Sequence, residues 1–241
     1  MKYLYETHLH TCEGSACAVT SGADYILPYR NCGYSGIFVT DHFFNGNSVV
    51  EANDNSIDWN TKVDLYCRGY ETALAQAQKI NQENNDGVPF QVFFGMEFNF
   101  DGDEYLVYGI TKEWLKKHPD LLGYSHKKLF QEVNKIGGLM IQAHPFRLRR
   151  YMDAIHIHPR EVHGIEAYNA GNNPPENVLA MEFAKINNLP VTSGSDMHDA
   201  SDLEKTFSML GGMEFDAPLE GMQDFIYRIK FGKGKALNIL T

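Results

Sequence analysis

The sequence predicts a single domain of the α/β class, built on a parallel sheet or barrel. Short β-prone runs alternate with helix-like segments along the 241 residues, which is the pattern of successive βα units. The chain has no internal repeat and no low-complexity linker, and its length fits one α/β barrel. Catalytic groups of parallel folds gather at the C-terminal ends of the strands, here called the rim, so polar residues at strand ends are the candidates for function.

Strands are predicted where short apolar and β-branched runs stop at turn residues or polar motifs. They are Tyr3–Thr7, Gly36–Thr40, Phe90–Phe98, Tyr105–Ile110, Leu139–Ala143, Gly164–Tyr168, Val191–Ser193 and Ala236–Leu240. The turn at Asp101-Gly102 predicts that Phe90–Phe98 and Tyr105–Ile110 pair as a hairpin.

Helices are predicted between these strands. They are Ala23–Cys32, Val63–Asn84, Lys127–Ile136, Pro175–Asn187 and Leu219–Lys230. Val63–Asn84 carries the strongest signal, because its alanines are good helix formers. By contrast, Phe43–Asp58 is polar and rich in asparagine, so we expect a long loop that overhangs the rim and contributes to the choice of substrate.

The charge balance disfavours partners that attract basic proteins. The chain has 31 Asp and Glu against 21 Lys and Arg, a formal net charge of −10. Nucleic acid and anionic lipid are therefore not the expected partners, although a local basic patch leaves nucleic acid open. No apolar run approaches the roughly 18 residues that span a membrane, so we expect no membrane partner.

The N-terminus and the cysteines predict a cytoplasmic protein. Met1–Glu6 leads straight into a polar motif without the apolar stretch of a signal peptide. The cysteines at positions 12, 17, 32 and 67 form no CxxC pair, and without an export signal we expect reduced thiols.

Candidate metal ligands follow five of the predicted strands. His8 and His10 lie two residues apart in an extended segment, so both imidazoles reach one point. Other strand ends carry further imidazoles and carboxylates, namely Asp41, His42, Glu97, His144, Asp196 and His198. This ligand chemistry suits Zn²⁺, Mn²⁺ or Fe²⁺. There are more ligands than one ion needs, which favours a carboxylate that bridges two ions, and Glu97 is its natural candidate.

Each of these residues, taken singly, also fits an ordinary structural role. His8 and His10 fit an exposed pair on an edge strand, and Asp41 and Asp196 fit helix caps. Glu97 is harder to explain in this way, because a carboxylate in an apolar strand needs a partner. The presence of all five motifs favours the metal site.

The five motifs also resemble those of the PHP (polymerase and histidinol phosphatase) superfamily. In chain order they are HLHT at His8–Thr11, TDH at Thr40–His42, GMEF around Glu97, AHP at Ala143–Pro145 and GSDMH at Gly194–His198. The resemblance implies a distorted (β/α)7 barrel with two or three divalent metal ions at the rim, manganese, iron or zinc, and hydrolysis of phosphoesters.

The resemblance also implies a ligand set for three ions. The first would be held by His8, His10, Glu97 and Asp196, the second by Glu97 and His144, and the third by His42, His198 and an acidic residue, for which we select Glu13. The sequence departs from the family pattern at Glu104–Tyr108, where a further histidine is expected. Tyr105 is the candidate replacement, and His126 is the alternative.

The resemblance favours hydrolysis of a small phosphomonoester by a metal-bridged hydroxide that attacks phosphorus in line. Arg147, Arg149 and Arg150 follow His144, and their guanidinium groups match phosphate oxygens, although a solvated basic loop explains them too. Glu97 is expected to bridge the ions, Arg147 to bind developing charge without holding metal, and His198 or His42 to protonate the leaving alkoxide.

Three other functions remain open for the same residues. A nuclease or phosphodiesterase would use the same ions but needs an open basic groove. An amidohydrolase would direct the same hydroxide at carbon. A non-catalytic metal-binding module would keep the ions for structure or regulation.

Overall fold

Nine strands form one sheet in the computed structural model, which describes residues 2–83, 87–150, 152–203 and 210–239. They are β1 (Tyr3–Glu6), β2 (Tyr34–Val39), β3 (Gln91–Phe100), β4 (Asp103–Tyr108), β5 (Leu139–Gln142), β6 (Gly164–Asn169), β7 (Val191–Gly194), β8 (Met213–Phe215) and β9 (Lys235–Ala236). Their order in the sheet is β7-β6-β5-β4-β3-β2-β1-β8-β9.

The first seven strands curl into a nearly closed barrel. β1, β2 and β3 are parallel, as are β5, β6 and β7, while β4 is antiparallel to both of its neighbours. Beyond β1 and β7 the chain pairs again, Leu9 with Met197, and the His10 amide donates to the Met197 carbonyl at 2.8 Å. This pairing joins the two sides of the sheet at the rim. The expectation of a distorted barrel is confirmed, with the predicted hairpin as its antiparallel element.

Helices cover the barrel and connect its strands. They are a 3-10 turn at Ala23–Tyr25, α1 (Ile26–Asn31), α2 (Trp59–Tyr66), α3 (Arg68–Glu83), α4 (Lys112–Lys116), a 3-10 turn at Leu121–Gly123, α5 (His126–Lys135), α6 (Pro174–Asn187) and α7 (Met222–Lys230). In the described part of the chain, no helix combines the length and the apolar character needed to cross a membrane.

The helix predicted at Val63–Asn84 is in fact two helices. α2 begins earlier, because the Asp58 carboxylate accepts a hydrogen bond from the Thr61 amide and caps the helix start. The break falls at Cys67, and Asn84 lies outside the described residues. Two further differences concern strands. β8 was not predicted, and the last strand is only Lys235–Ala236, with residue 240 of its predicted range outside the described part.

The end of the barrel opposite the rim is filled by apolar side chains and by α7. Phe38 of β2, Tyr108 of β4 and Phe225 of α7 pack together, with the Phe38 and Phe225 rings 4.2 Å apart. Tyr108 Oη also donates to the Thr7 carbonyl at 2.7 Å. This packing closes the lower end of the barrel.

Candidate metal centre

Four side chains from three parts of the barrel converge at the rim. His8 and His10 lie on the extension of β1, Glu97 on β3, and Asp196 just after β7. The two histidine Nε2 atoms are 3.1 Å apart. His8 Nε2 is 3.2 Å from Glu97 Oε1 and 3.4 Å from Asp196 Oδ1. His10 Nε2 is 3.4 Å from Glu97 Oε2 and 3.2 Å from Asp196 Oδ1.

These spacings are those of ligands around one divalent ion. Nitrogen and oxygen ligands lie about 2.1 Å from Zn²⁺, which puts neighbouring ligands about 3.4 Å apart in tetrahedral and about 3.0 Å apart in octahedral geometry. The observed separations of 3.1 to 3.4 Å fall in this interval. His8, His10 and Asp196 therefore lie at ligand spacing, and Glu97 is within reach of both imidazoles. We call these four side chains the first group.

The hydrogen bond behind His8 prepares its ring for a metal. His8 Nδ1 lies 2.9 Å from Glu166 Oε1, and a carboxylate only accepts, so Nδ1 carries the proton. The lone pair of Nε2 then faces the first group. A carboxylate behind a ligating histidine is the usual way in which proteins orient such a ring and raise its basicity.

His10 is prepared in the same way through a hydroxyl. Ser15 Oγ donates to Asp41 Oδ1 at 2.8 Å and accepts from the His42 amide at 3.0 Å. His10 Nδ1, 3.0 Å from the same oxygen, must therefore donate. Its Nε2 lies 3.1 Å from His8 Nε2, so either a proton on His8 or a metal ion must lie between the two nitrogens, and a bound ion would take the place of that proton.

Glu97 also faces a second group, formed with His144 and Glu104. Glu97 Oε1 is 3.2 Å from His144 Nε2, and Glu104 Oε2 is 3.5 Å from the same nitrogen. Glu104 Oε1 is 3.6 Å from His42 Nδ1. Because Glu97 Oε1 also faces His8 Nε2 at 3.2 Å, this carboxylate occupies the position between two groups that a bridging ligand requires.

A third group contains His10, His42 and His198, whose ligand atoms all lie within 4.8 Å of one another. His198 Nδ1 is 2.8 Å from the Asp196 carbonyl oxygen. Because that oxygen only accepts, Nδ1 carries the proton and Nε2 keeps its lone pair. That Nε2 lies 3.1 Å from Cys17 Sγ. Burial raises the pKa of the Cys17 thiol, but hydrogen bonds with His198 and His42 outweigh burial and lower it to about 6.

The structure does not bring Glu13 to the third group, so our selection of it as a ligand is corrected. Its carboxylate accepts from the Gly22 amide at 3.1 Å and from the Thr72 hydroxyl at 3.0 Å, which direct it away from the histidines. Cys17, four residues further along the same turn, occupies that place instead.

The three groups contain two buried atoms that form an ion pair without a well-aligned hydrogen bond. His42 Nδ1 and Glu97 Oε2 are 2.7 Å apart, but they are not aligned for a hydrogen bond. Neither atom has a hydrogen-bond partner among the described residues. A buried polar atom without a partner is costly, and a bound cation would satisfy both atoms at once.

Negative charge dominates the rim. The side chains of Glu97, Glu166 and Asp196 are at most 7% exposed. Burial raises the pKa of Glu97 and Asp196, but His8, His42 and His144 around Glu97, and His8, His10 and Arg147 around Asp196, together outweigh burial and hold both pKa values well below their usual range. Both carboxylates are thus in the form that binds metal, and buried anions call for compensating cations.

Arg147 supplies a fixed positive charge and is held by three acceptors. Its Nη1 donates to Asp196 Oδ2 at 2.6 Å, its Nε donates to Asn172 Oδ1 at 2.6 Å, and its Nη2 donates to Asn169 Oδ1. Since Asp196 Oδ1 faces His8 and the first group, Arg147 fixes the orientation of a ligand carboxylate. Substrate contact by Arg147 stays a prediction.

Two candidate ligands have strained backbones. His144 has a φ of 27° and Asp196 a φ of 55°, in the left-handed region that non-glycine residues rarely adopt. Such conformations cost about 1–3 kcal/mol each and are typical of functional sites. Glu166 Oε2 accepts from the His144 amide at 2.9 Å, and Arg147 holds the Asp196 side chain, so neighbours fix both turns.

Glu104, and not Tyr105, fills the place where the family pattern has a histidine. Across the hairpin, Asn99 pairs with Glu104 and Phe98 with Tyr105. Because side chains alternate along a strand, Glu104 shares the face of Glu97, whereas Tyr105 faces away. The alternative residue, His126, packs against Tyr105 with ring centroids 4.6 Å apart, so it does not reach the rim groups either. The turn predicted at Asp101-Gly102 already determines which residues of the two strands lie opposite each other, and so places Glu104 on the face of Glu97.

Glu166 was missed, although the sequence carried a signal for it. It lies on β6 in an apolar strand, and the argument that singled out Glu97 applies to it equally. Its carboxylate contacts His8 Nδ1, the His144 amide and the Asn169 amide group. We therefore assign Glu166 to positioning of two candidate ligands.

A cavity of about 560 Å³ opens over the three groups, within the size range of small-ligand sites. Its walls come from the rim and from the loop after β2, namely Cys17, His42, Asn45, Gly46, Asn47, Asn99, Glu104, His144, Arg147, Arg149, Asp196 and His198. The expected overhanging loop thus borders the cavity with residues 45–47. Arg149 is exposed at this wall, whereas Arg150 is exposed without lining it.

The barrel resembles solved structures of low sequence identity. A two-domain protein from Bacteroides vulgatus that contains a predicted PHP-like metal-dependent phosphoesterase matches with a TM-score of 0.65 and 18% identity. The match covers 98% of this chain and 64% of that protein. The chain has a PHP-like fold. The resemblance of the five motifs implied this same fold.

Two other similar structures carry different activities in their names. The lesion-specific endonuclease EndoQ from Pyrococcus furiosus matches with a TM-score of 0.59 and 11% identity, over 98% of this chain and 58% of that protein. An amidohydrolase from Chromobacterium violaceum, with bound sulfate, matches with a TM-score of 0.53 and 13% identity, over 96% of this chain and 97% of that one. No protein-family model and no curated protein sequence matches the chain.

Proposed function

We propose that this chain is a metal-dependent phosphoesterase that hydrolyses a small phosphomonoester. The observation that carries the proposal is the convergence, beneath one cavity, of overlapping sets of three candidate ligands that share His8, His10, His42 and Glu97. The name of the Bacteroides vulgatus neighbour, a PHP-like metal-dependent phosphoesterase, supports the same reaction class.

The first group would hold one ion and the second group another, with Glu97 between them. Divalent ions there would supply an activated water as nucleophile and neutralise charge that develops on the phosphoryl group. The chain itself contributes the ionised carboxylates, the oriented imidazoles and the fixed charge of Arg147. We assign the third group to a third ion held by His42, His198 and Cys17.

The cavity favours a small substrate. Its volume of about 560 Å³ accommodates a phosphorylated metabolite, and the exposed Arg149 at its wall offers a guanidinium to phosphate oxygens. The net charge of −10 disfavours long nucleic acid. Because the carboxylates around the ions repel an anionic substrate, the arginines are the protein groups that attract its phosphate.

The proposal is tested by turnover with Mn²⁺, Fe²⁺ or Zn²⁺ supplied. We expect metal-dependent hydrolysis of 4-nitrophenyl phosphate and little of bis(4-nitrophenyl) phosphate or a 4-nitroanilide. Preference for the diester would favour the phosphodiesterase alternative, which the endonuclease neighbour also suggests. Preference for the anilide would favour an amidohydrolase. No turnover by fully loaded protein would favour a metal-binding module.

Replacing Arg149 with alanine is expected to raise KM for a phosphomonoester about tenfold, because one charge-assisted hydrogen bond to phosphate contributes about 1.5–3 kcal/mol. The measurement is steady-state kinetics with metal content determined in parallel. Arg150→Ala is the matched control, since Arg150 is exposed on the same segment but does not line the cavity. Equal KM values for both variants would show that Arg149 belongs to a solvated basic loop and does not contact the substrate.

Replacing Cys17 with serine is expected to abolish a thiolate-to-cobalt charge-transfer band in the near-ultraviolet spectrum of the Co²⁺-loaded protein. The reason is the position of Cys17 Sγ, 3.1 Å from His198 Nε2 in the third group. Cys12→Ser is the control, because Cys12 Sγ contacts the Glu13 carboxylate at 3.7 Å rather than a histidine of the third group. If wild type shows no such band, Cys17 is not a ligand of the third ion.

A further inference from the structure

A fourth cluster of ligand-bearing side chains lies on the face of β4 that points away from the rim groups. It contains His126, the first residue of α5, with His158 and Glu161 from the segment that links β5 to β6. The ligand atoms of these three side chains lie within 4.8 Å of one another. We infer that they form a separate zinc site, independent of the proposed phosphoesterase centre.

The contacts within this cluster match those of the rim. His126 Nδ1 lies 3.2 Å from Glu161 Oε2, the same separation as between His8 and Glu97 in the first group. The His126 and His158 rings stack with centroids 4.2 Å apart and planes at 21°. In the third group two rings stack almost identically, at 4.4 Å and 24°.

One ring nitrogen of His126 has no hydrogen-bond partner among the described protein groups. Its side chain is only 10% exposed, yet its Nε2 has no hydrogen-bond partner in the described part of the chain. The buried hydroxyl of the neighbouring Tyr105 likewise lacks a partner among those residues. A hydrogen bond between His126 and Glu161 explains one contact, but not the placement of His158 against the ring. Since no protein group of the described residues holds Nε2, the imidazole can carry its proton there and present Nδ1 to an ion beside Glu161.

The ligand types suit zinc. Two imidazoles and one carboxylate, with a fourth position left to water, form a set that proteins use for tetrahedral Zn²⁺. Glu161 is 29% exposed, so solvent reaches the cluster and can supply that fourth ligand. Oxygen-preferring ions such as Mg²⁺ are disfavoured, because two of the three ligands are nitrogens.

An ion bound by this cluster would restrict the movement of the segment that carries two rim residues. Residues 143–163 run from β5 to β6, and their first part carries His144 and Arg147 at the rim. Near its start the segment is held by Glu166 and Asp196, and near its end by a bond from His156 Nδ1 to Asp103 Oδ2 at 2.7 Å. Zinc bound by His158 and Glu161 would attach that end to α5 as well.

The test is zinc stoichiometry at equilibrium. After dialysis against buffered Zn²⁺, we expect His158→Ala and Glu161→Gln each to bind one equivalent less than wild type. His118→Ala is the matched control, because His118 stacks on Trp114 away from the cluster and is expected to leave the stoichiometry unchanged. Equal zinc content in wild type and both cluster variants would overturn the proposal.

A second measurement separates this site from the rim and from misfolding. Glu97→Gln is expected to lose rim metal but to keep the extra equivalent, and added Zn²⁺ should still raise its Tm. The double variant Glu97→Gln/His158→Ala should lose both the equivalent and the Tm shift. A Tm shift that persists in the double variant would place the ion elsewhere. Failure of phosphomonoester turnover would leave these outcomes unaffected.

Discussion

Replacing Glu97 with glutamine is expected to reduce metal content by at least one equivalent per chain and kcat/KM for a phosphomonoester by at least about 100-fold. Outer partners of metal ligands already contribute roughly 10–100-fold to metal affinity or activity, and a bridging ligand contributes more. Glu97 Oε1 faces both His8 and His144 at 3.2 Å, so the amide nitrogen of glutamine would disturb two groups at once.

The measurement combines elemental analysis with steady-state kinetics on the same preparation. Glutamine has nearly the shape of glutamate, so we expect the variant to fold, with a Tm below that of metal-free wild type because His8, His42 and His144 lose their carboxylate partner. Glu113→Gln is the control, because Glu113 is an exposed carboxylate on α4 far from the rim in the fold. Unreduced turnover in Glu97→Gln would refute the metal assignment.

The positions that the sequence predicted well are those with a local signal. His8 and His10 alternate in an extended segment, and each of the other candidate ligands stands where an apolar run stops. The barrel then brings these strand ends together, because parallel strands share one rim. Glu104 and Glu166 belong to the same class, since strand alternation and the cost of a buried carboxylate point to both.

The turn after His10 illustrates what local pattern does not contain. Its path is set by Asp41, which accepts from the Thr11 amide at 2.6 Å and from the Ser15 hydroxyl at 2.8 Å. It is also set by α3, where a Cβ on Gly69 would lie 1.9 Å from Thr11 Oγ1. These long-range contacts place Cys17 beside His198 and direct the Glu13 carboxylate away from the third group. Nothing in residues 12–18 alone distinguishes the two.

Arg147 shows the same limit for function. As a guanidinium just after a strand end, it indicates an anion site, and we expected its loss to weaken substrate binding without loss of metal. The structure gives it partners that lie 22 to 49 residues away in the chain, Asn169, Asn172 and Asp196. Arg147 therefore holds together three distant parts of the chain, and the residues next to it in the sequence do not reveal this role.

Replacing Arg147 with alanine is accordingly expected to destabilise the fold by about 3–5 kcal/mol, the usual effect of removing one partner of a buried ion pair. Asp196 Oδ2 would lose a 2.6 Å hydrogen bond, and the Asn169 and Asn172 side-chain oxygens would each lose a donor. Since Asp196 Oδ1 faces His10 Nε2 at 3.2 Å, metal affinity of the first group is expected to fall as well.

Urea unfolding of the metal-free protein and metal titration of the folded protein measure these effects separately. Arg147→Lys keeps the charge but lacks the planar fork, so it should recover part of the stability and less of the metal affinity. Arg150→Ala, an exposed arginine of the same segment, should change neither. If Arg147→Ala raises KM while stability and metal affinity stay at wild-type values, the guanidinium acts on substrate, and its bond to Asp196 does not orient a ligand.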